Sequence, residues 1–214
     1  MKKTIVAITM SLLLVAMPVV AGNGETESVK TAGVPANEVS LCYGRVSLMH
    51  LAAGLGGVLG SSFSLGSQVM SSLNTTGAIG LEYFHYFAPH FALGGGLVGE
   101  SLTMTFKKRV TDESGTAVKD DQGNYVYEPG GSQTTNVLTV MPGFKFPWFY
   151  KEHVSMYSTL YAGVSMSLGS DFSASFMGHA SLVGVDFGNS QWRGFTEFGI
   201  GAKGLLNLGL RYNF

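Results

Sequence analysis

The residues Glu82, Glu100, Lys145, Asp186, Arg193, Glu197 and Arg211 share a setting: each lies in or near the middle of a segment where apolar and polar residues alternate. Seven ionisable groups could not be buried unpaired in an apolar core. Opposite charges in a low-dielectric interior pair and shift one another's ionisation. If the alternation holds, Glu82, Lys145, Arg193, Glu197 and Arg211 face one shared interior as a charge network. Such a network has two uses: a salt-bridge plug that stiffens the fold, or a narrow pore opened by exchange of partners.

Other chemistries have less support. A base must sit within hydrogen-bond reach of its nucleophile, and no motif sets one there. Ser47 and His50 would form such a pair only if their strand ran on past Met49. No two of His50, His85, His90, His153 and His179 have the i, i+2 spacing that a strand would need to ligate a metal, and no Cys/His cluster exists. Asp120, Asp121 and Asn124 do not match a calcium loop. The expectation is a protein that is not an enzyme, with no catalytic residues, no metal and no cofactor.

The elements that must position the charges are strands. In VSMYSTLYAGVSMSL, Val154, Met156, Leu160, Ala162, Val164, Met166 and Leu168 share one face, broken only by Ser158, opposite Ser155, Tyr157, Thr159, Tyr161, Ser165 and Ser167. In TTNVLTVMPGFKFPW, Leu138, Val140, Pro142, Phe144, Phe146 and Trp148 oppose Thr135, Thr139, Gly143 and Lys145. Eight such segments are predicted: 40–49, 76–87, 91–106, 134–148, 154–168, 174–187, 192–201 and 204–214. The connections after the second, fourth and sixth are short (APH, FYKEH, GNSQ) and edged by Phe87, Phe91, Trp148, Phe149, Tyr150, Phe187 and Trp192, an aromatic girdle at one interface. The others vary in length.

Composition places these strands. Residues 1–21 read as a cleaved signal peptide: two lysines, an apolar run, then Val19 and Ala21 at cleavage-site spacing. Removing them leaves 11 basic against 14 acidic residues, which gives no basic footprint for nucleic acid. Charged residues are 13% of the chain against 45% apolar, yet no later run is long enough for a spanning helix. Bilayers admit only helices and closed barrels, because backbone groups must pair internally. The expectation is an all-β, eight-stranded antiparallel up-and-down transmembrane β-barrel at 40–214, preceded by a flexible periplasmic leader at 22–39. The soluble alternative, a lipocalin-like barrel or sandwich, turns its apolar face inward.

The chain resembles the small outer-membrane barrels of the OmpA and OmpX type. It also resembles a group of uncharacterised Gram-negative outer-membrane barrel proteins through EVSLCYGR (38–45), GAIGLEYFHYF (77–87), VLTVMPGFKFPWFYKEHVSMYSTLYAGVS (137–165) and GFTEFGIGAKGLLNLGLRYNF (194–214). The resemblance implies the bacterial outer membrane as location, and Leu210, Tyr212 and Phe214 as a C-terminal signal for the barrel-assembly machinery. It supplies no activity.

Two long loops are expected on the outer side. Loop 107–134 holds nine of the chain's 27 Asp, Glu, Lys and Arg residues and has turn residues between β-prone pieces, so its strands can continue as a protruding hairpin. Loop 49–76 has one ionisable residue, His50, and is expected to pack over the barrel mouth. The expected function is a monomeric outer-membrane protein in contact with lipid, with a structural role or an extracellular partner held by these loops. A narrow channel for small or apolar solutes and a lipid-modifying enzyme are the alternatives.

Overall fold

The computed structural model describes residues 34–63, 68–168 and 172–214, with side chains not described for 56–63 and 68. The expected signal peptide and the leader up to residue 33 lie outside the described residues. The elements are β1 (Asn37–Arg45), α1 (Leu48–Phe63), β2 (Gln68–Thr75), β3 (Ala78–Ala88), β4 (Phe91–Arg109), β5 (Tyr127–Tyr150), β6 (Val154–Ser167), β7 (Ser173–Gly188), β8 (Trp192–Gly201) and β9 (Leu206–Asn213). All strand pairs are antiparallel. Eight strands close into a ring in the order β1-β3-β4-β5-β6-β7-β8-β9, with β9 returning to β1. The ring closes where the chain ends: the Asn37 and Phe214 amides each donate to the other's carbonyl, at 2.8 and 2.9 Å.

Alternation determines which way each residue points. Along β6, Ser155, Tyr157, Thr159, Tyr161 and Ser165 are buried, while Leu160, Ala162 and Val164 are exposed. Along β9, Asn207, Arg211 and Asn213 are buried, and Leu206, Leu208 and Leu210 are exposed. Within the ring the charged residues mostly point inward and the outward rows are largely apolar, the reverse of a lipocalin-like barrel, although Phe84, Val98, Met141 and Phe195 share the interior. Phe176 is 78% exposed, and Trp148 and Trp192 are 52% and 57% exposed. With a rise of about 3.3 Å per residue and a tilt of about 40°, the outward rows of β9 (206–214) and β7 (176–187) span about 20 and 28 Å. A bilayer-facing band is about 25 Å tall.

Ser158, the residue that breaks the apolar row of β6, has a structural cause. Opposite it, β7 carries a bulge: Tyr157 pairs Gly184 and Thr159 pairs Ser181, so Leu182 and Val183 together face the single residue Ser158. Both bulged side chains point outward. A bulge disrupts the ladder locally and leaves a backbone group without its strand partner. Ser158 Oγ donates to the Leu182 carbonyl at 2.6 Å and occupies that acceptor. An apolar residue there would leave the carbonyl bare.

Boundaries differ from the sequence expectation at three places. β1 begins at Asn37 rather than 40, and Val34 and Ala36, placed in the leader, are buried. The described part of the expected loop 49–76 is instead α1 and β2, so nine strands occur among the described residues, eight of them in the ring. Ser47 caps α1 by accepting the His50 amide at 3.0 Å, and the Leu51 amide bonds the Ser47 carbonyl. Leu, Met and Ala then carry the first turns, while four glycines and the lack of charge disguise the helix in sequence. Finally, β4 and β5 run past the ring to Arg109 and Tyr127, as a protruding hairpin requires. β2 joins this extension through β4, pairing Gln68 with Lys108 and Thr75 with Leu102. Gly77, with φ at +79°, turns the chain from β2 into β3.

Candidate functional site: a charge-filled lumen

Eight charges fill the ring, all of them buried: Lys145, Arg193, Lys203 and Arg211 against Glu38, Glu82, Asp186 and Glu197. The signs balance four to four within this set, and a fifth buried carboxylate, Glu100, lies apart from it on β4. The strand period brings most of them inward; the fold of one turn brings the eighth. Lys203 lies in the connection between β8 and β9, where Gly204 (φ +101°) lets the chain curl back over the lumen and Ala202 is buried beside it. Its ammonium bridges Glu82 Oε1 at 2.6 Å and Glu197 Oε2 at 2.5 Å. Glu82 also accepts from Ser40 Oγ and Tyr161 OH, and Glu197 from Tyr157 OH and Ser181 Oγ.

Toward the end that carries the short turns, a second cluster forms around Glu38. Lys145 Nζ lies 2.8 and 2.9 Å from its two oxygens, and Tyr86 OH donates to it at 2.7 Å. Arg211 reaches Glu38, Asp186 and the Tyr157 hydroxyl, and its guanidinium lies over the Tyr157 and Phe195 rings. Tyr157 joins the two clusters, since its oxygen accepts from Arg211 and donates to Glu197. Arg193 closes the turn end. It donates to Ser155 Oγ and to the carbonyls of Asn189, Lys151 and Glu152, with the Tyr150 ring beneath it.

The five residues singled out in sequence are therefore all inside, but the pairing differs from a direct network among them. No two of Glu82, Lys145, Arg193, Glu197 and Arg211 bond each other. Lys203 links Glu82 to Glu197, Glu38 links Lys145 to Arg211, and Tyr157 links Arg211 to Glu197. Glu38 and Lys203 were missed because one sat in the supposed leader and the other in a turn, both beyond the alternating runs. Arg193 pairs with carbonyls instead of a carboxylate. Leu210, Tyr212 and Phe214 form the outward row of the last strand, with the Tyr212 ring tilted against Trp192 and stacked on Phe214.

Among the described residues serine meets histidine twice, once at the His179 ring and once at the His50 backbone amide, and in neither does serine donate to an imidazole. Ser181 donates to Glu197, so His179 Nε2 must be the donor in its 3.0 Å contact with Ser181 Oγ. Ser47 donates to Glu100 at 2.5 Å while capping α1. The other ring contacts are to Asn37 from His85, and to the carbonyls of Pro147 and Gly188 from His90 and His153. Among the described residues no group of three His, Cys, Asp or Glu side chains is placed to hold a metal ion. Lone Cys42 is buried.

Outside the ring, the hairpin tip is built from two Asx turns. Asp112 accepts from the Ser114 hydroxyl and from the amides of Ser114 and Thr116. Asp120 accepts from the amides of Gln122 and Asn124. Those donors, the Ser114 hydroxyl foremost for Asp112 and the Asn124 amide for Asp120, hold both carboxyls below the usual carboxylate range. Arg109 and Lys119 lie over the Tyr125 ring. Each carboxylate is used up within its own turn.

No family model matches the chain, and comparison with curated proteins finds no relative. The fold is an all-β antiparallel ring with a polar, charge-filled interior and an apolar exterior.

Proposed function

We propose that this protein is an integral barrel of the bacterial outer membrane, exported by a signal peptide. Its role is non-enzymatic, structural or in surface interaction through the sheet that stands above the ring. The observation that supports this most is the sidedness of the strands. A continuous outward band of Leu, Ile, Val and Phe is a severe aggregation risk in water and a solvent match in a bilayer. Trp148, Phe149, Phe187, Trp192, Tyr212 and Phe214 gather near the short turns, where an interfacial aromatic girdle belongs. The balanced network inside favours a plug over a conduit: every lumen cation is already bonded, and a passing ion would have to displace one. Outer-membrane lipid, the barrel-assembly machinery and an extracellular protein are the partners this reading implies, and the protein acts as a monomer.

The extension supports the interaction role. Beyond Val137, which pairs Ser167, the β5 edge from Tyr127 to Thr135 has no strand beside it among the described residues. Glu128, Pro129 and a bulge blunt its outer half, but Ser132 to Thr135 carry neither charge nor proline. Such an edge accepts an added strand. In intact cells, external trypsin should cut within 107–119 and leave the ring, and placing lysine at Ser132 and Thr134 on that edge should abolish surface binding without loss of barrel. Protection of 107–119 until the cells are lysed would refute the orientation.

A further inference from the structure

The sheet that stands above the ring, β2-β4-β5, has two unlike faces. Residues paired across strands share a face, so the register assigns each one. Leu102, Met104 and Phe106 of β4 share a face with Met70 and Leu73 of β2, and the Leu73 side chain rests against Gly54 of α1. The other face continues the outward side of the ring. It carries two cross-strand rows of short polar residues, Asn74–Thr103–Thr134 and Ser72–Thr105–Ser132. Lys107 and Arg109 follow on β4, two and four residues beyond Thr105. No Asp or Glu interrupts these rows, since Glu128 pairs Lys108 and belongs to the opposite face.

Positive charge gathers at the top of this face. The Arg109 guanidinium and the Lys119 ammonium lie 4.0 and 5.0 Å from the centre of the Tyr125 ring, and Arg109 Nε has no hydrogen-bond partner among the described residues. Lys107, Arg109 and Lys119 form no salt bridge among the described residues, unlike Lys145, Lys203 and Arg211 in the lumen. Height selects what they can meet. The last apolar row beneath them is Ile79–Gly99–Leu138. At a rise of about 3.3 Å per residue and a tilt of about 40°, Thr103 stands about 10 Å above that row, and Lys107 and Arg109 about 20 and 25 Å. Phospholipid headgroups add only about 5–8 Å to each side of the hydrocarbon, too little to reach the cations. A lipid headed by an oligosaccharide reaches them. Ser, Thr and Asn side chains both donate and accept hydrogen bonds, as sugar hydroxyls do, and Lys and Arg suit phosphate.

We propose that the outward face of β2-β4-β5 binds the phosphorylated oligosaccharide head of an outer-leaflet glycolipid, a site that rests on the outer-membrane reading of the ring. The Ser, Thr and Asn rows meet the sugars, and Lys107, Arg109 and Lys119 meet phosphate. The order along β4 follows the order of the lipid: apolar residues beside acyl chains, short polar residues beside sugars, cations beside phosphate. The face is separate from the free edge of β5.

The test uses the full chain folded into phospholipid nanodiscs, with empty nanodiscs as the blank. The probe is the core oligosaccharide of lipopolysaccharide, cut from its acyl chains and labelled with a fluorophore, either phosphorylated or chemically stripped of phosphate. The unaltered chain should bind the phosphorylated form about tenfold more tightly than the stripped one. Lys107→Gln, Arg109→Gln and Lys119→Gln together should erase that preference, while Lys108→Gln on the opposite face should keep it. Thr105→Val should weaken both forms several-fold. If the triple variant misfolds, as its mobility on an unheated gel would report, Lys107→Gln alone against Lys108→Gln decides. Equal binding of the two forms by the unaltered chain, or binding of neither, overturns the proposal and leaves the membrane reading standing. A chain that does not insert into the nanodisc lipid at all removes both.

Discussion

Replacing Lys203 by methionine is expected to destabilise the folded barrel more than any other single lumen change. The ammonium is 1% exposed and, among the described residues, is the only cation bonded to either Glu82 or Glu197. Removing one partner of a buried ion pair leaves an uncompensated charge, at a cost of about 3–5 kcal/mol. Here two carboxylates are stranded at once, which puts the effect at the upper end of that range. Replacing the whole triad should behave differently. With Lys203→Met, Glu82→Gln and Glu197→Gln together, no charge is left bare, and tyrosines 157 and 161 still have acceptors. Such replacements are often neutral. Urea unfolding of the two variants should therefore diverge, the triple recovering most of what the single loses. Equal losses in both would mean that Lys203 contributes by packing alone.

The second large effect concerns the outside. Leu208 lies midway along the outward row of β9, between Tyr43 and Thr196 on the neighbouring strands, and is 55% exposed. On a wetted surface, Leu208→Arg would be worth no more than about ±0.5 kcal/mol. In the middle of a bilayer, an outward arginine on a barrel costs about 2–4 kcal/mol. The same substitution thus distinguishes the two solvents. Thr103→Arg is the control. Thr103 points outward on β4 above the apolar band, paired with Asn74 and Thr134, and it should be indifferent. A large loss at 208 with none at 103, measured as unfolding free energy in lipid vesicles, is the expected pattern.

Alternation made much of this legible. VSMYSTLYAGVSMSL matches β6 to within its last residue, because a closed sheet with a polar, packed inside and an apolar outside enforces period two along the strand. Ser158 was the one misfit, and its explanation lies in a bulge on another strand, which no reading of β6 alone contains. The inward charges were visible for the same reason, but their partners were not. Pairing across a lumen depends on the stagger of the strands, so Lys203 meeting Glu82 from 121 residues away is a property of the register. The Ser181–His179 contact did leave a local signal, since i and i+2 on a strand share a face. The α1 helix was hidden because glycine and the absence of charge read as loop, while the cap that starts it is tied to Glu100, far along the chain.

The most direct measurement of bilayer insertion uses the chain's two tryptophans, Trp148 and Trp192. Both sit on the outward face near the short turns. The protein is folded into vesicles whose acyl chains carry bromine either close to the headgroup or near the chain terminus. Tryptophan emission should be quenched strongly by the shallow bromines and weakly by the deep ones, as for an interfacial girdle. A folded protein whose emission is the same in brominated and unbrominated lipid would contradict insertion.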